Sequence, residues 1–138
     1  MKSTLNIPLP MRARKGDAGY DFFLPCSLTL KKGQRVMVDT GIIMEEGDIP
    51  EGYVMLLFPR SSTGSEYGLA LANSVGVIDS HYRDTIKAKL WLNDPSVDVL
   101  RMSEGFRFMQ GVLVPYGIIP TEIPPEEERN GGFGSTGA

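Results

Sequence analysis

No apolar run in this 138-residue chain goes far before a glycine or proline interrupts it: sixteen Gly and ten Pro are spread throughout. Both residues destabilise the interior of regular structure, glycine through backbone entropy and proline through its missing N–H. The chain can therefore build only short elements joined by many turns. Its apolar runs are "GQRVMVDTGII", "YVMLLFP", "GVIDSHY", "TIKAKLWL" and "FRFMQGVLVPYGII", and each reads as a strand. In "TIKAKLWL", Ile86, Ala88, Leu90 and Leu92 alternate with Lys87, Lys89 and Trp91, the period of a strand with one wet face. "YVMLLF" is apolar on both parities, which predicts burial on both sides, in a barrel, a sandwich or a subunit interface.

Only "STGSEYG" reads as helical. Thr63 and Glu66 have capping-box spacing and Gly68 is placed to stop the turn, so one or two helical turns are expected directly after "PRSS". Many short strands with at most one short helix indicate an all-β barrel or a jelly-roll-like sandwich. From about residue 118 the chain reads as an extended arm of prolines, an acidic run and glycines; the acidic run is most simply a solvated tether. A bland glycine-rich tail would need neither Phe133 nor Arg129.

Composition sets further bounds. With 41% hydrophobic and 22% charged residues, the chain suits one globular domain. No apolar run approaches the roughly 20 residues of a membrane helix, and the N-terminal stretch lacks the apolar core of a secretory signal. A single cysteine, Cys26, allows no internal disulfide and suits a reducing compartment, so a cytoplasmic location is expected. Cys26 itself reads as a small buried hydrophobe. The lone His81 leaves no multi-histidine metal site. A net charge of −3 speaks against nucleic acid as a partner, and nothing suggests a membrane. A polyanion would have to meet a local cluster of cations.

Candidate chemistry gathers in a few stretches. "DAGYDF" puts Asp21 just beyond a turn-forming Ala-Gly, and "PRSS" sets Arg60, Ser61 and Ser62 at the mouth of the expected helix. Backbone N–H groups there, with an arginine, would suit a phosphate, although serine at a helix start also serves simply as a cap. In "ANSVGVIDSHYRD", Gly76 permits a close approach or marks a bulge. Asp79, after an apolar pair, could act as a base at a pocket edge, and Tyr82 could lay its ring on a ligand.

Taken in order, "AGYDF", "PRSS", "GVIDSHYR", "RFMQ" and "GGFGSTG" resemble the five motifs of the trimeric dUTP diphosphatase (dUTPase) family, over nearly the whole chain from about Leu9. The resemblance implies a distorted jelly-roll-like β-barrel over 1–118 and a C-terminal arm with a glycine-rich lid over 119–138. It implies hydrolysis of dUTP to dUMP and pyrophosphate with Mg²⁺, lowering dUTP and supplying dUMP for thymidylate synthesis. Asp79 would be the base that activates water, and Asp21 an outer organiser that meets metal-bound water or a phosphate-binding arginine. Asn73 and the backbone of Gly76, Val77 and Ile78 would read uracil. Tyr82 would exclude a 2′-hydroxyl, and Lys87 would add a substrate contact or simply be solvated. Arg60, Ser61, Ser62, Arg107 and Gln110 would hold phosphates. Arg107 and Gln110 point to opposite faces of a regular strand, so a bulge or strand end must intervene for both to serve one site.

The tail would act as a lid, Phe133 stacking on the base while Arg129, Gly134, Ser135 and Thr136 wrap the γ-phosphate. The family pattern also implies a homotrimer whose active sites are shared between subunits. Three positions depart from it: only Asn130 separates Arg129 from "GGFG", Asp84 stands where glycine is usual, and bulky Met109 precedes Gln110. A related deaminase branch would need a glutamate where alignment places Lys89. A nucleotide-gated regulator with an unknown protein partner leaves no motif and stays open.

Overall fold

In the computed structural model, which describes residues 1–126, the chain forms eleven short strands and one helix. In chain order these are β1 (Lys2–Ser3), β2 (Tyr20–Phe23), β3 (Leu28–Lys31), β4 (Arg35–Asp39), β5 (Ile42–Ile43), β6 (Tyr53–Pro59), α1 (Ser61–Ser65), β7 (Leu69–Leu71), β8 (Gly76–Ile78), β9 (Lys87–Leu92), β10 (Val99–Met102) and β11 (Arg107–Pro115). All pairings are antiparallel. The larger sheet runs β2-β11-β6-β8 and a second runs β4-β9-β7, with two-stranded ribbons β1-β5 and β3-β10 beside them. This is the all-β, jelly-roll-like architecture that short strands and scarce helix imply. No helix among the described residues is long and apolar enough to cross a membrane.

One buried cluster takes side chains from both main sheets: Phe22, Met55, Leu57 and Phe108 from the larger, Leu71, Ala88, Leu90 and Leu92 from the smaller. β9 follows its sequence pattern, with Ile86, Ala88, Leu90 and Leu92 all buried and Lys89 exposed. β6 differs from expectation on one face. Met55 and Leu57 are buried, whereas Val54, Leu56 and Phe58 are only half-buried. Their register partners Val114 and Val112 on β11, and Val77 on β8, continue an apolar outer face.

Several expected boundaries move. The run 33–43 breaks into β4 and β5 at Gly41, whose φ of 70° suits glycine. "GVIDSHY" stops pairing at Ile78, because the chain turns to carry Asp79–Tyr82 away from the sheet, Tyr82 N–H donating to the Asp79 carbonyl. The helix starts two residues before the expected cap. Arg60 is its N-cap and Glu66 its C-cap, so Thr63 lies inside it, fully buried, and makes no capping box. Gly68 does end the turn, at φ 69° and pressed against Asp94. Cys26 is exposed rather than buried.

Candidate active site

Asp21 is the hub of the site. It lies in β2, opposite Gln110 of β11, and Gln110 in turn faces Phe58 of β6, so all three share the outer face of the larger sheet. Arg60 follows directly after β6. Its Nε donates to Asp21 Oδ1 at 3.0 Å, and Arg107 approaches Asp21 Oδ2 at 3.5 Å. The Asp21 side chain is only 9% exposed. A carboxylate this sheltered is stable when its charge is matched, and here two guanidinium groups match it.

The opposed faces of Arg107 and Gln110 are reconciled by a bulge. Arg107 pairs with Phe23 and Met109 with Phe22, so β11 holds one extra residue between them. That shift brings Arg107 to the Asp21 face along with Gln110. Met109, one of the departures from the family pattern, fills the core and is fully buried.

Asp21, Arg60 and Gln110 line a cleft of about 280 Å³ with Ser61, Val112 and the loop that holds Asp17 and Gly19, and Arg107 reaches Asp21 from beside it. Gln110 Nε2 donates to the Pro59 carbonyl at 3.3 Å, tying β11 to the end of β6. A side chain at position 19 would run into the Gln110 amide oxygen and push that amide aside. Ser61 is exposed at the helix start and Ser62 half-buried. The first-turn N–H groups of a helix have no intrahelical partner, and of this helix Ser61 borders the cleft. Among the described residues no group of three His, Cys, Asp or Glu could hold a metal. The donor set therefore fits an ion carried mainly by phosphate oxygens and water, as Mg²⁺ favours.

The second candidate stretch turns after β7 and passes into β8, crossing from the smaller sheet to the larger. Ser74 takes a φ of 68° and donates its N–H to the Leu71 carbonyl, and Val75 N–H donates to the Asn73 carbonyl. Asn73 is thereby exposed at the tip. Gly76 has a structural reason to be glycine: a Cβ there would lie 2.9 Å from Leu57 Cβ. Val77 is 59% exposed and Ile78 buried. Beyond β8, Asp79 is half-buried. Tyr82 is 8% exposed, with its hydroxyl donating to the Thr85 carbonyl at 2.9 Å. Arg83 was assigned no role on sequence grounds, although it stands inside a quoted motif. Its guanidinium donates to the Ser80 and Tyr82 carbonyls at 2.7 and 3.0 Å and so clamps the turn that presents Asp79. Asp84 has no positive φ to demand glycine, and its carboxylate accepts the Thr85 N–H.

The two halves are not together within the chain. Ile78 pairs with Met55, and the register carries Asp79 toward the start of β6, away from Arg60. Five residues of extended strand separate Met55 from Arg60, roughly 16 Å. Lys87 lies on the other sheet, beside Asp39. Lys89, where the deaminase branch would place a glutamate, is exposed opposite Met37. Arg129, Phe133, Gly134, Ser135 and Thr136 lie outside the described residues.

A family model described as dUTPase matches residues 5–137. The deoxyuridine 5'-triphosphate nucleotidohydrolase of Corynebacterium diphtheriae is 38% identical over 135 residues, covering 95% of this chain and 86% of the relative. That of Cutibacterium acnes is 38% identical over 140 residues, covering 97% and 90%. Among solved structures, Staphylococcus bacteriophage 80alpha dUTPase with dUPNHPP is similar at a TM-score of 0.73 and 26% identity, over 96% of this chain and 94% of that one.

Proposed function

The chain belongs to the dUTPase family, and on that premise we propose that it hydrolyses dUTP to dUMP and pyrophosphate. The observation that carries the reading is the Arg60–Asp21–Arg107 cluster beside Ser61 and Gln110. It is a cation-bearing cleft suited to the phosphates of a nucleotide.

Water attacks the α-phosphorus, the bond to the oxygen bridging α and β phosphorus breaks, and pyrophosphate leaves with that oxygen. Asp79 accepts the proton of the attacking water. Arg60 and Arg107 balance charge on the departing phosphates, and Asp21 fixes the Arg60 head group through its Nε. When bound, Mg²⁺ would neutralise triphosphate charge, with Asp21 accepting from its water shell. Asn73 and the backbone from Gly76 to Ile78 read the uracil edge, so cytosine would leave buried groups unpaired. Tyr82 stands against the sugar, and the tail from Arg129 to Thr136 closes as a lid. Lys87 is the weakest member of the set, being on the far sheet.

The separation of Asp79 from Arg60 supports sites shared between subunits, because a base that far along the sheet cannot reach a phosphate held by Arg60 of its own protomer. The apolar outer face of β6 and β11 supports an oligomer in the same way. A homotrimer is the arrangement this reading adopts.

The test is pyrophosphate release with Mg²⁺ from dUTP, dCTP, dTTP and UTP in parallel. Release from dUTP alone is expected. Ammonia from dCTP, or tight dUTP binding with no turnover, would overturn the reading in favour of a deaminase or a regulator.

A further inference from the structure

The floor of the Asp21 cleft is poorer in charge than its arginines suggest. Arg60 and Arg107 both face Asp21, so two guanidinium groups and one carboxylate leave a single net positive charge. A nucleotide triphosphate brings several negative ones. The adjoining loop, to which the family resemblance gives no role, carries further cations.

That loop leaves and returns at Asp21 itself. Met11 and Asp21 form an isolated antiparallel bridge, with Asp21 N–H donating to the Met11 carbonyl at 2.8 Å. Between them runs "RARKGDAGY", with three cations and one carboxylate. The carboxylate is used internally: Asp17 Oδ2 accepts the Arg14 N–H at 3.0 Å, and Asp17 N–H donates back to the Arg14 carbonyl at 3.2 Å. Gly16, at φ 89°, makes the turn between them possible. Arg12 is committed to the loop as well, donating to the Asp17 carbonyl and lying over the Tyr20 ring. Arg14 and Lys15 are exposed and carry no ion pair among the described residues. Meanwhile Ala13, Asp17, Ala18 and Gly19 form a wall of the cleft. The two uncommitted cations thus stand on an ordered turn between Ala13 and Asp17, both of which line the cleft.

We propose that the turn from Arg12 to Asp17 is a polyphosphate-capturing wall of the cleft, with Arg14 and Lys15 as its acting cations. Only the identity of the ligand, a nucleoside triphosphate, rests on the dUTP reading. The wall accounts for how a chain with a net charge of −3 draws in a polyanion: the field is concentrated at one mouth, where it raises the rate of capture.

The test uses the full chain and an R14Q/K15Q variant, with K32Q as a control that removes an exposed cation paired with Asp98 elsewhere. Calorimetric binding of inorganic tripolyphosphate is measured at low and high salt, alongside kcat and KM for dUTP. At low salt R14Q/K15Q is expected to bind tripolyphosphate about tenfold more weakly, with a flatter salt dependence. Its kcat/KM should fall by a similar factor, carried by KM, and K32Q should match the parent. Equal tripolyphosphate affinity in R14Q/K15Q and the parent, with matching thermal melts, would overturn the wall. Should the parent hydrolyse no dUTP, the functional reading fails, while the tripolyphosphate comparison still decides the wall.

Discussion

Arg60 Nε lies 3.0 Å from Asp21 Oδ1, joining a carboxylate inside β2 to a guanidinium just past the end of β6. The pair sits where the larger sheet meets α1, and Arg107 completes it from β11. Removing the carboxylate would leave two guanidinium groups facing each other. Asp21→Asn is expected to destabilise the protein by about 1–2 kcal/mol, between the values for exposed and buried pairs, since both arginines are partly solvated. Urea melts of D21N and R107Q check this: D21N should lose more than R107Q, which still leaves the Arg60 pair intact.

Asp79→Asn keeps the shape of the side chain but removes the proton acceptor. Turnover of dUTP is expected to fall by about 10²- to 10⁴-fold, the range for loss of a general base, with nucleotide binding retained. Single-turnover kinetics together with equilibrium binding separate the two effects. Loss of binding in parallel would instead make Asp79 a structural group.

Sites shared between subunits predict complementation. D79N lacks the base and R60Q lacks the phosphate contact, so each is inactive alone. In a co-refolded equal mixture, a site drawing Arg60 from one subunit and Asp79 from another is intact about one time in four. Recovery of that share of parent activity is expected, and activity that stays at the level of the separate variants would place both residues in one protomer.

Gly76→Ala puts a methyl group against Leu57, whose Cβ and Cδ1 both lie 2.9 Å from the new atom. Overpacking of this kind is expected to cost about 1–3 kcal/mol. Leu57→Ala removes Cδ1 but keeps Cβ, so G76A/L57A should relieve the Cδ1 share of the strain and lose less than the two single losses added together. A strictly additive result in thermal melts would locate the strain elsewhere.

The loop at 94–97 carries a pH signature. Asp94 accepts hydrogen bonds from the Ser96 hydroxyl and N–H at 2.7 and 2.8 Å, which hold its carboxyl below the ordinary value of 3.8. A depressed folded value means the interaction is fully present above that pH and is lost as pH falls below it. An NMR titration should show the Asp94 carboxyl titrating below 3.8, and S96A should move its midpoint upward.

Much of this protein could be read from the order of its residues. The alternation in 86–92 fixed which face of β9 is buried, because side-chain direction reverses at every residue of a strand. The run 53–59 marked a strand that matches β6, and the ordered motifs pointed to the family. Phosphate-binding residue types were visible for the same local reason, since each is carried by a short stretch. Tertiary structure decided what depends on pairing between distant segments. The bulge that brings Arg107 to the Gln110 face exists only relative to β2, and the burial of Thr63 only relative to the core beneath α1. Gly76 is needed by Leu57, nineteen positions earlier in the chain. Above all, the sequence placed Asp79 and Arg60 in one list of candidates, whereas the register of β8 on β6 sets them at opposite ends of a strand. A register is a relation between two strands, and no local pattern of residues records it.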